Sequence, residues 1–312
     1  EHGLWIDTTG ISPLNDEIFT TATGTQHANR LSLFQQMNTA WAGCVETRQA
    51  PYDVQDDTPS SATPATLYTP YFAPDEPGSG VGTNGSYHND YLKDVTTSTN
   101  WKVLQGYTGK YAATPKTSLD SWSNYHYGPN SGCELAPLMR LTTNFVDLKT
   151  AIGNMTAIGD TNIPVGLAWG WNLLSPNGPF STDTVAYNTP KTAKVVVLMT
   201  DGQNANANTG SNNASLYSGI GYIWQNRLGI TSGTAAQRQT AIDNRLTLLC
   251  ANMKAKGIEI YTIRLEVNDT NYTVMKGCAT KPDMFYDVSS AADLNNVFSA
   301  IAGRIQNLRL SR

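Results

Sequence analysis

Apolar residues recur at helical spacing in four stretches of the second half of the chain and gather in strand-sized runs between them. Phe145, Leu148 and Ile152 share one face of a helix predicted over 143–155, with Thr142 or Thr143 available to cap it. A second helix is predicted over 163–174. A third, over 238–255, turns Ile242, Leu246, Leu249 and Met253 to one side and ends at Gly257. The fourth, over 292–308, faces inward with Leu294, Val297, Phe298, Ile301 and Ile305. Strands are predicted over 135–141, 194–200, 258–265 and 284–288. The run over 194–200 is apolar and β-branched without alternation, which marks a strand covered on both faces. Strands alternating with helices imply an α/β fold with a parallel, doubly wound sheet.

Residues 1–132 follow another pattern. Periodicity is weak, and Pro51, Pro59, Pro64, Pro70, Pro74, Pro77 and the glycine-rich run 78–85 interrupt it. One helix is predicted over 28–40, with Leu31, Phe34 and Met37 on one face. The density of Trp, Tyr and Phe predicts an irregular but ordered, aromatic-rich subdomain. The chain thus divides into 1–132, loop-rich, and 133–312, sheet-bearing. Trp169 and Trp171 cannot share a helix face, so one is expected against the sheet and the other against the first subdomain.

Composition narrows the function. The 312 residues are 40% hydrophobic, which excludes disorder, and only 15% charged, with a net charge of −4. Thr, Asn, Ser, Gly and Tyr stand where charge is missing, as in secreted and cell-surface proteins. No basic stripe appears, which argues against nucleic acid as a partner. No apolar run approaches the ~20 residues of a membrane span. The N-terminus has neither a signal-peptide pattern nor an initiator Met, as expected of a processed product or a fragment. The four cysteines are Cys44, Cys133, Cys250 and Cys278, without the spacing of a zinc or redox site. Their even count favours two disulfides over four buried thiols, and disulfides would place the protein in the periplasm or outside the cell.

The strongest chemical motif closes the apolar run: Thr200-Asp201-Gly202-Gln203-Asn204. Ligands of open α/β sheets sit beyond the carboxyl ends of the strands. A carboxylate there holds a hard cation or only shapes an Asx turn with Gly202. Thr161, in Gly159-Asp160-Thr161-Asn162, caps the following helix or offers its hydroxyl to the same cation. His2, His27, His88 and His126 have no ligand spacing. Asp53, Asp56, Asp57, Asp75 and Glu76 form an acidic region read as a solvated loop, with Ca²⁺ binding the lesser alternative. No G-x-S-x-G elbow, P-loop or dinucleotide fingerprint occurs.

The order loop threonine, helix, apolar strand, Thr-Asp-Gly resembles the von Willebrand factor A (vWA) domain. That family holds a divalent cation through an Asp-x-Ser-x-Ser loop, a threonine of a second loop and an aspartate of a third. Thr161 matches the second element and Asp201 the third. The first is absent, since Asp287-Val288-Ser289-Ser290-Ala291 fails at its last position and follows the wrong strand. Other strings resemble TadG-like proteins of Tad (Flp-type) pilus systems. They are Trp41-Ala42-Gly43-Cys44-Val45-Glu46-Thr47-Arg48, Pro51-Tyr52-Asp53-Val54, Tyr71-Phe72-Ala73-Pro74-Asp75-Glu76-Pro77, Gly166-Leu167-Ala168-Trp169-Gly170-Trp171, Leu174-Ser175-Pro176 and Asn307-Leu308-Arg309-Leu310-Ser311.

The resemblance implies a vWA/Rossmann-like doubly wound sheet with residues 1–132 as a large insertion and 133–312 as the C-terminal part of the domain. Its first strand, which in the family lies beside the strand 194–200, would come from an upstream segment or a neighbouring subunit. The site through Thr161 and Asp201 would take Mg²⁺, Ca²⁺ or Mn²⁺ but is incomplete in this chain. The adjacency of sheet elements expects the pairs Cys250 with Cys278 and Cys44 with Cys133. The function implied is a non-enzymatic component of a Tad-type pilus, acting in assembly or adhesion. It would be periplasmic or surface-exposed, attached to membrane or pilus through a segment outside 1–312. Its partners would be other Tad pilus proteins, pilin or a surface receptor. One alternative is a structural filament or tip subunit completed by strand donation without metal. A secreted metal-dependent hydrolase is the less favoured alternative.

Overall fold

Three parallel strands, Val195–Thr200, Glu259–Leu265 and Phe285–Val288, lie side by side in that order in the second half of the chain. The structure is a computed structural model and describes residues 6, 19–21, 24–25, 29–78, 89–94, 98–119, 127–157, 159–267 and 273–310. In chain order the elements are β1 (Thr20–Thr21), β2 (Gly24–Thr25), α1 (Arg30–Gln36), α2 (Trp101–Gly106), α3 (Phe145–Gly153), α4 (Ile163–Leu174), β3 (Val195–Thr200), α5 (Ala235–Ala255), β4 (Glu259–Leu265), α6 (Thr273–Cys278), β5 (Phe285–Val288) and α7 (Leu294–Leu310), with short 3-10 turns between. Pairing runs from Val195 opposite Glu259 to Thr200 opposite Arg264, and from Thr262 opposite Phe285 to Leu265 opposite Val288.

Alternation along the strands divides the core. Val196, Leu198 and Ile260 point to one face, where Leu167 and Trp171 of α4, Leu246, Leu249 and Met253 of α5 and Met275 of α6 cover them. Tyr261 and Ile263 point to the other, where Ile301 of α7 meets them. The chain is therefore α/β, with helices on both faces of a parallel sheet.

The helices of this half begin where their caps dictate. Asn162 accepts from the Val165 amide at the start of α4. Thr234 and Gln237 form a reciprocal capping box that starts α5 three residues before the expected 238. Gly257, at φ +78°, takes the left-handed position after α5. For α3 the cap is Asn144, not Thr142 or Thr143: its side-chain oxygen accepts from Val146 and Asp147.

Four expectations fail in this half. Residues 135–141 form no strand; Pro137 removes a ladder donor, and no described strand lies alongside. The face of α3 is not buried, and Phe145 and Val146 are 71% and 73% exposed. Phe298 of α7 is exposed rather than inward. The strand read as covered on both faces is covered on one: Val197 and Met199, on the side of Val195, are 38% and 48% exposed.

The aromatic subdomain has its own core. Phe19, Phe34, Phe72 and Tyr111 meet edge to face. This core is not confined to residues 1–132, since Tyr217 and Tyr222, from the connection between β3 and α5, complete it. Trp169 lies 5.1 Å from the Tyr68 ring, whereas Trp171 is buried under the sheet and donates to Tyr187 at 2.8 Å, the division expected for that pair.

Both disulfides form as paired in the sequence reading. Cys44–Cys133 spans Cα atoms 5.9 Å apart, and Cys250–Cys278 joins α5 to α6 across 5.1 Å. Such bonds belong to oxidising compartments, the periplasm or the cell exterior. No described helix is long and apolar enough to cross a membrane. Closing the 28-residue separation of Cys250 and Cys278 constrains the unfolded chain by about 3–4 kcal/mol. Cys250→Ala with Cys278→Ala should lower unfolding free energy by about that amount in urea titration.

Candidate functional site

The carboxyl ends of β3 and β4 meet the start of α4, and the sequence motifs converge there. After Thr200 the chain turns sharply. The Thr200 hydroxyl accepts from the Gly202 amide at 3.2 Å and donates to the Gly202 carbonyl at 3.0 Å. The turn is thus closed by Thr200 and not by an Asx turn at Asp201. Asp201 is exposed, and its carboxylate takes no hydrogen bond from the described residues.

Because Asn162 serves as the cap of α4, the Thr161 hydroxyl is released from that role. It sits against Gly202, so close that a Cβ built there would lie 3.6 Å from Thr161 Oγ1. The Ala205 amide donates to the Thr161 carbonyl at 2.9 Å, which ties the two loops together. The structure thereby brings Thr161 beside the loop that carries Asp201.

Two further residues hold the arrangement. The Asn204 side chain accepts from the Ile163 amide at 2.8 Å and donates to Asp243 of α5 at 2.7 Å. It is buried and fixes the start of α4 on the β3 loop. Burial raises the Asp243 carboxyl above the usual aspartate range, and the Asn204 amide partly offsets this. Asn204 lay within the motif read from sequence, but nothing marked Asp243. Arg264, at the end of β4, pairs with Asp287 of β5 at 2.9 Å. Gly202, Asn204, Asp243, Arg264 and Met275 line a crevice of about 30 Å³, far below the ~300–1,000 Å³ of an organic-ligand pocket.

A hard cation takes six or more oxygens. The Thr161 hydroxyl and the Asp201 carboxylate offer at most three, and no group of three or more His, Cys, Asp or Glu suited to a metal exists among the described residues. The described residues do not make a complete cation site. The acidic region is no site either. Asp53 is paired with Arg245, Asp56 accepts from Ser175, Asn177 and Tyr187, and Asp75 is paired with Lys110. Asp57 contributes its carbonyl to Arg48. His2, His27, His88 and His126 lie outside the described residues.

Glu76 accepts from the Tyr222 hydroxyl at 2.7 Å. Burial, with the Asp75 charge adding to it, pushes its carboxyl up to about 7 against the Tyr222 bond. A raised folded-state value means the native protein holds this proton more tightly than the unfolded chain. The stabilisation is therefore full below the ordinary value of 4.5 and fades as pH rises through about 7. Stability should fall by a few kcal/mol between about pH 5 and about pH 8 through this group. Glu76→Gln should flatten the slope in urea titrations at the two pH values.

No protein-family model and no curated protein matches the chain. Among solved structures it is similar to proximal thread matrix protein 1 from the mussel byssus, at 18% identity and a TM-score of 0.30. The match covers 51% of this chain and 28% of that one, so it spans just over a quarter of the mussel protein. A likeness at that score carries nothing further on fold or function.

Proposed function

We propose that residues 133–312 are the C-terminal part of a vWA-type domain carrying residues 1–132 as an insertion. In this reading the protein is a non-enzymatic component of a Tad-type pilus, periplasmic or surface-exposed, acting in assembly or adhesion. One observation carries it. A threonine released from helix capping stands beside the Thr-Asp-Gly loop at the carboxyl end of a parallel strand whose outer edge has no described partner. Two oxygen-bearing side chains at the end of an open-edged strand are what a cation site and sheet leave behind when a neighbouring strand and its loop are removed. The two disulfides suit the compartment.

Adhesion through the site would need the cation. Chelation should abolish binding to a surface receptor, and Mg²⁺ or Mn²⁺ should restore it. Thr161→Ala and Asp201→Ala should each reproduce the loss in the intact protein. Binding that survives both the chelator and the substitutions would discard adhesion through a cation. It would favour the structural subunit, whose partners are pilin and other pilus proteins.

The described residues of 1–312 offer too few donors by themselves. Adding Mg²⁺, Ca²⁺ or Mn²⁺ to residues 1–312 should leave the melting temperature unchanged in differential scanning fluorimetry. A rise as large as that of a form carrying an Asp-x-Ser-x-Ser loop would show that this chain supplies the ligands itself.

A further inference from the structure

Asp75 and Lys110 are both fully buried, 35 residues apart, in the aromatic core. Lys110 Nζ lies 2.7 Å from Asp75 Oδ2 and donates to the carbonyls of Asp75 and Leu104, each at 2.9 Å. The approach to Oδ2 is off the hydrogen-bonding angles, and Oδ2 has no hydrogen-bond partner among the described residues. Oδ1 is served differently: the amides of Tyr91 and Leu92 donate to it at 2.6 Å and 2.5 Å. The Tyr111 hydroxyl accepts from the Asp75 amide at 3.1 Å, and Phe72, Tyr91 and Tyr111 belong to the same core.

Each feature has a chemical reading. An isolated ion pair in an apolar interior bears a desolvation cost that its attraction offsets only with excellent geometry. Here one carboxylate oxygen lacks that geometry. Burial raises the Asp75 carboxyl to about 6 against the pull of Lys110, so that Oδ2 takes up a proton more readily than an exposed carboxylate. A lysine that has passed one proton to that oxygen is a nucleophile. Two backbone amides on one oxygen of its target form an oxyanion hole, already in place before charge develops. The fold holds nucleophile and acyl group in contact, which replaces an encounter in solution.

We propose that Lys110 and Asp75 become joined by a side-chain amide bond, formed by the folded chain itself. Lys110 Nζ attacks Asp75 Cγ, and the developing negative charge falls on Oδ1 between the Tyr91 and Leu92 amides. The Nζ–Cγ bond forms and the Cγ–Oδ2 bond breaks. Of the three ammonium protons, two pass to Oδ2, which leaves as water, and the third stays on the amide nitrogen. No oxidant, metal or second molecule takes part. Oδ1 becomes the amide carbonyl and keeps both backbone donors. The product carries no buried charge, and the released water does not return readily to so closed a core. The remaining N–H can still donate to one of the two carbonyls that Lys110 meets.

The bond would tie the segment of Phe72, Asp75 and Glu76 to the turn after α2, adding a third covalent closure to the two disulfides. The inference is independent of the functional reading above. Its test is mass. Protein purified folded from the cells that make it is reduced, denatured and weighed intact, so that the disulfides no longer contribute. The expected mass is one water below that of the reduced sequence. Trypsin should fail to cut after Lys110, and fragment spectra should find one branched peptide joining Lys110 to Asp75. Cyclisation of an N-terminal residue or of an aspartyl peptide can also lose water, but leaves the two peptides linear and separate. A Lys110→Arg protein should have the full mass. Wild-type peptides that are linear, with free Asp75 and Lys110, would overturn the proposal and leave a non-covalent ion pair.

Discussion

Glu46→Ala is expected to cost about 3–5 kcal/mol of stability, among the largest effects of any single side chain here. Glu46 is completely buried. One carboxylate oxygen receives Arg30 and the Tyr217 hydroxyl, and the other faces Arg227 at 3.2 Å. Arg227 also donates to the Thr47 hydroxyl at 2.8 Å, and Arg30 to the Tyr217 hydroxyl at 2.7 Å. Burial by itself would lower the pKa of the Arg30 guanidinium; the Glu46 charge, together with Tyr217 and the hydrogen bonds to both, outweighs it and holds the value above the ordinary one. Removing the carboxylate leaves two buried guanidiniums without their shared counter-charge. The backbone around it amplifies the loss. The Glu46 amide donates to Thr69 at 2.9 Å, and the Thr47 amide to Gly219 at 2.8 Å. The loss of Glu46 therefore reaches the connection between β3 and α5. Glu46→Gln keeps the volume and should still lose most of the stability, because the charge is what the arginines require. Urea titration decides this. A loss under about 1 kcal/mol for Glu46→Ala would mean that water enters and solvates the arginines.

The sequence and the structure agree best where a helix or strand is buried on the side its pattern marks. α4 begins and ends as expected. The face Ile242, Leu246, Leu249, Met253 of α5 is wholly buried. Disagreement begins where burial depends on partners the pattern does not name. Residues 135–141 read as a strand, yet a strand needs a neighbour, and the side chains of Leu135, Leu138 and Leu141 stand exposed. The apolar face of α3 has the same history. The core of the aromatic subdomain was legible as composition but not as topology. Nothing periodic in 213–227 shows that Tyr217 and Tyr222 belong with Phe72 and Tyr111, because irregular chain carries no period.

At the candidate site, Thr161 and Asp201 were readable because each abuts a regular element. Their adjacency follows because α4 and β3 run antiparallel, so that the start of the helix meets the end of the strand. Asn204 and Asp243 act through one amide that spans two elements 39 residues apart, and a pairing of that range has no local signature. Thr161 reads in the sequence as cap or ligand; the Asn162 side chain takes the cap through the Val165 amide, which leaves Thr161 Oγ1 against Gly202.

Residues 1–312 expressed alone are expected to associate or aggregate rather than melt as a cooperative monomer. Among the described residues β3 pairs only with β4, and its other edge presents a row of backbone donors and acceptors. Val197 and Met199 stand exposed on the face next to that edge, and Phe298 of α7 on the same side of the sheet. An open, apolar, parallel edge templates further pairing, and natural edges are usually blunted by charge, proline or a bulge. Val195-Val196-Val197-Leu198-Met199 has none of these. A strand laid parallel to β3, followed by a helix over Val197 and Met199, would cover edge and face together. In our reading such a unit comes from elsewhere in the same protein, or from a neighbouring subunit by strand addition. Val197→Lys with Met199→Lys should shift the isolated chain toward monomer in size-exclusion chromatography, since edge lysines block pairing. The same pair should weaken the complete protein, where those positions would be covered. An unsubstituted chain that elutes as a monomer and melts in one sharp transition would show that the three-stranded sheet is sufficient as it stands. The reading of residues 133–312 as part of a larger domain would then fall.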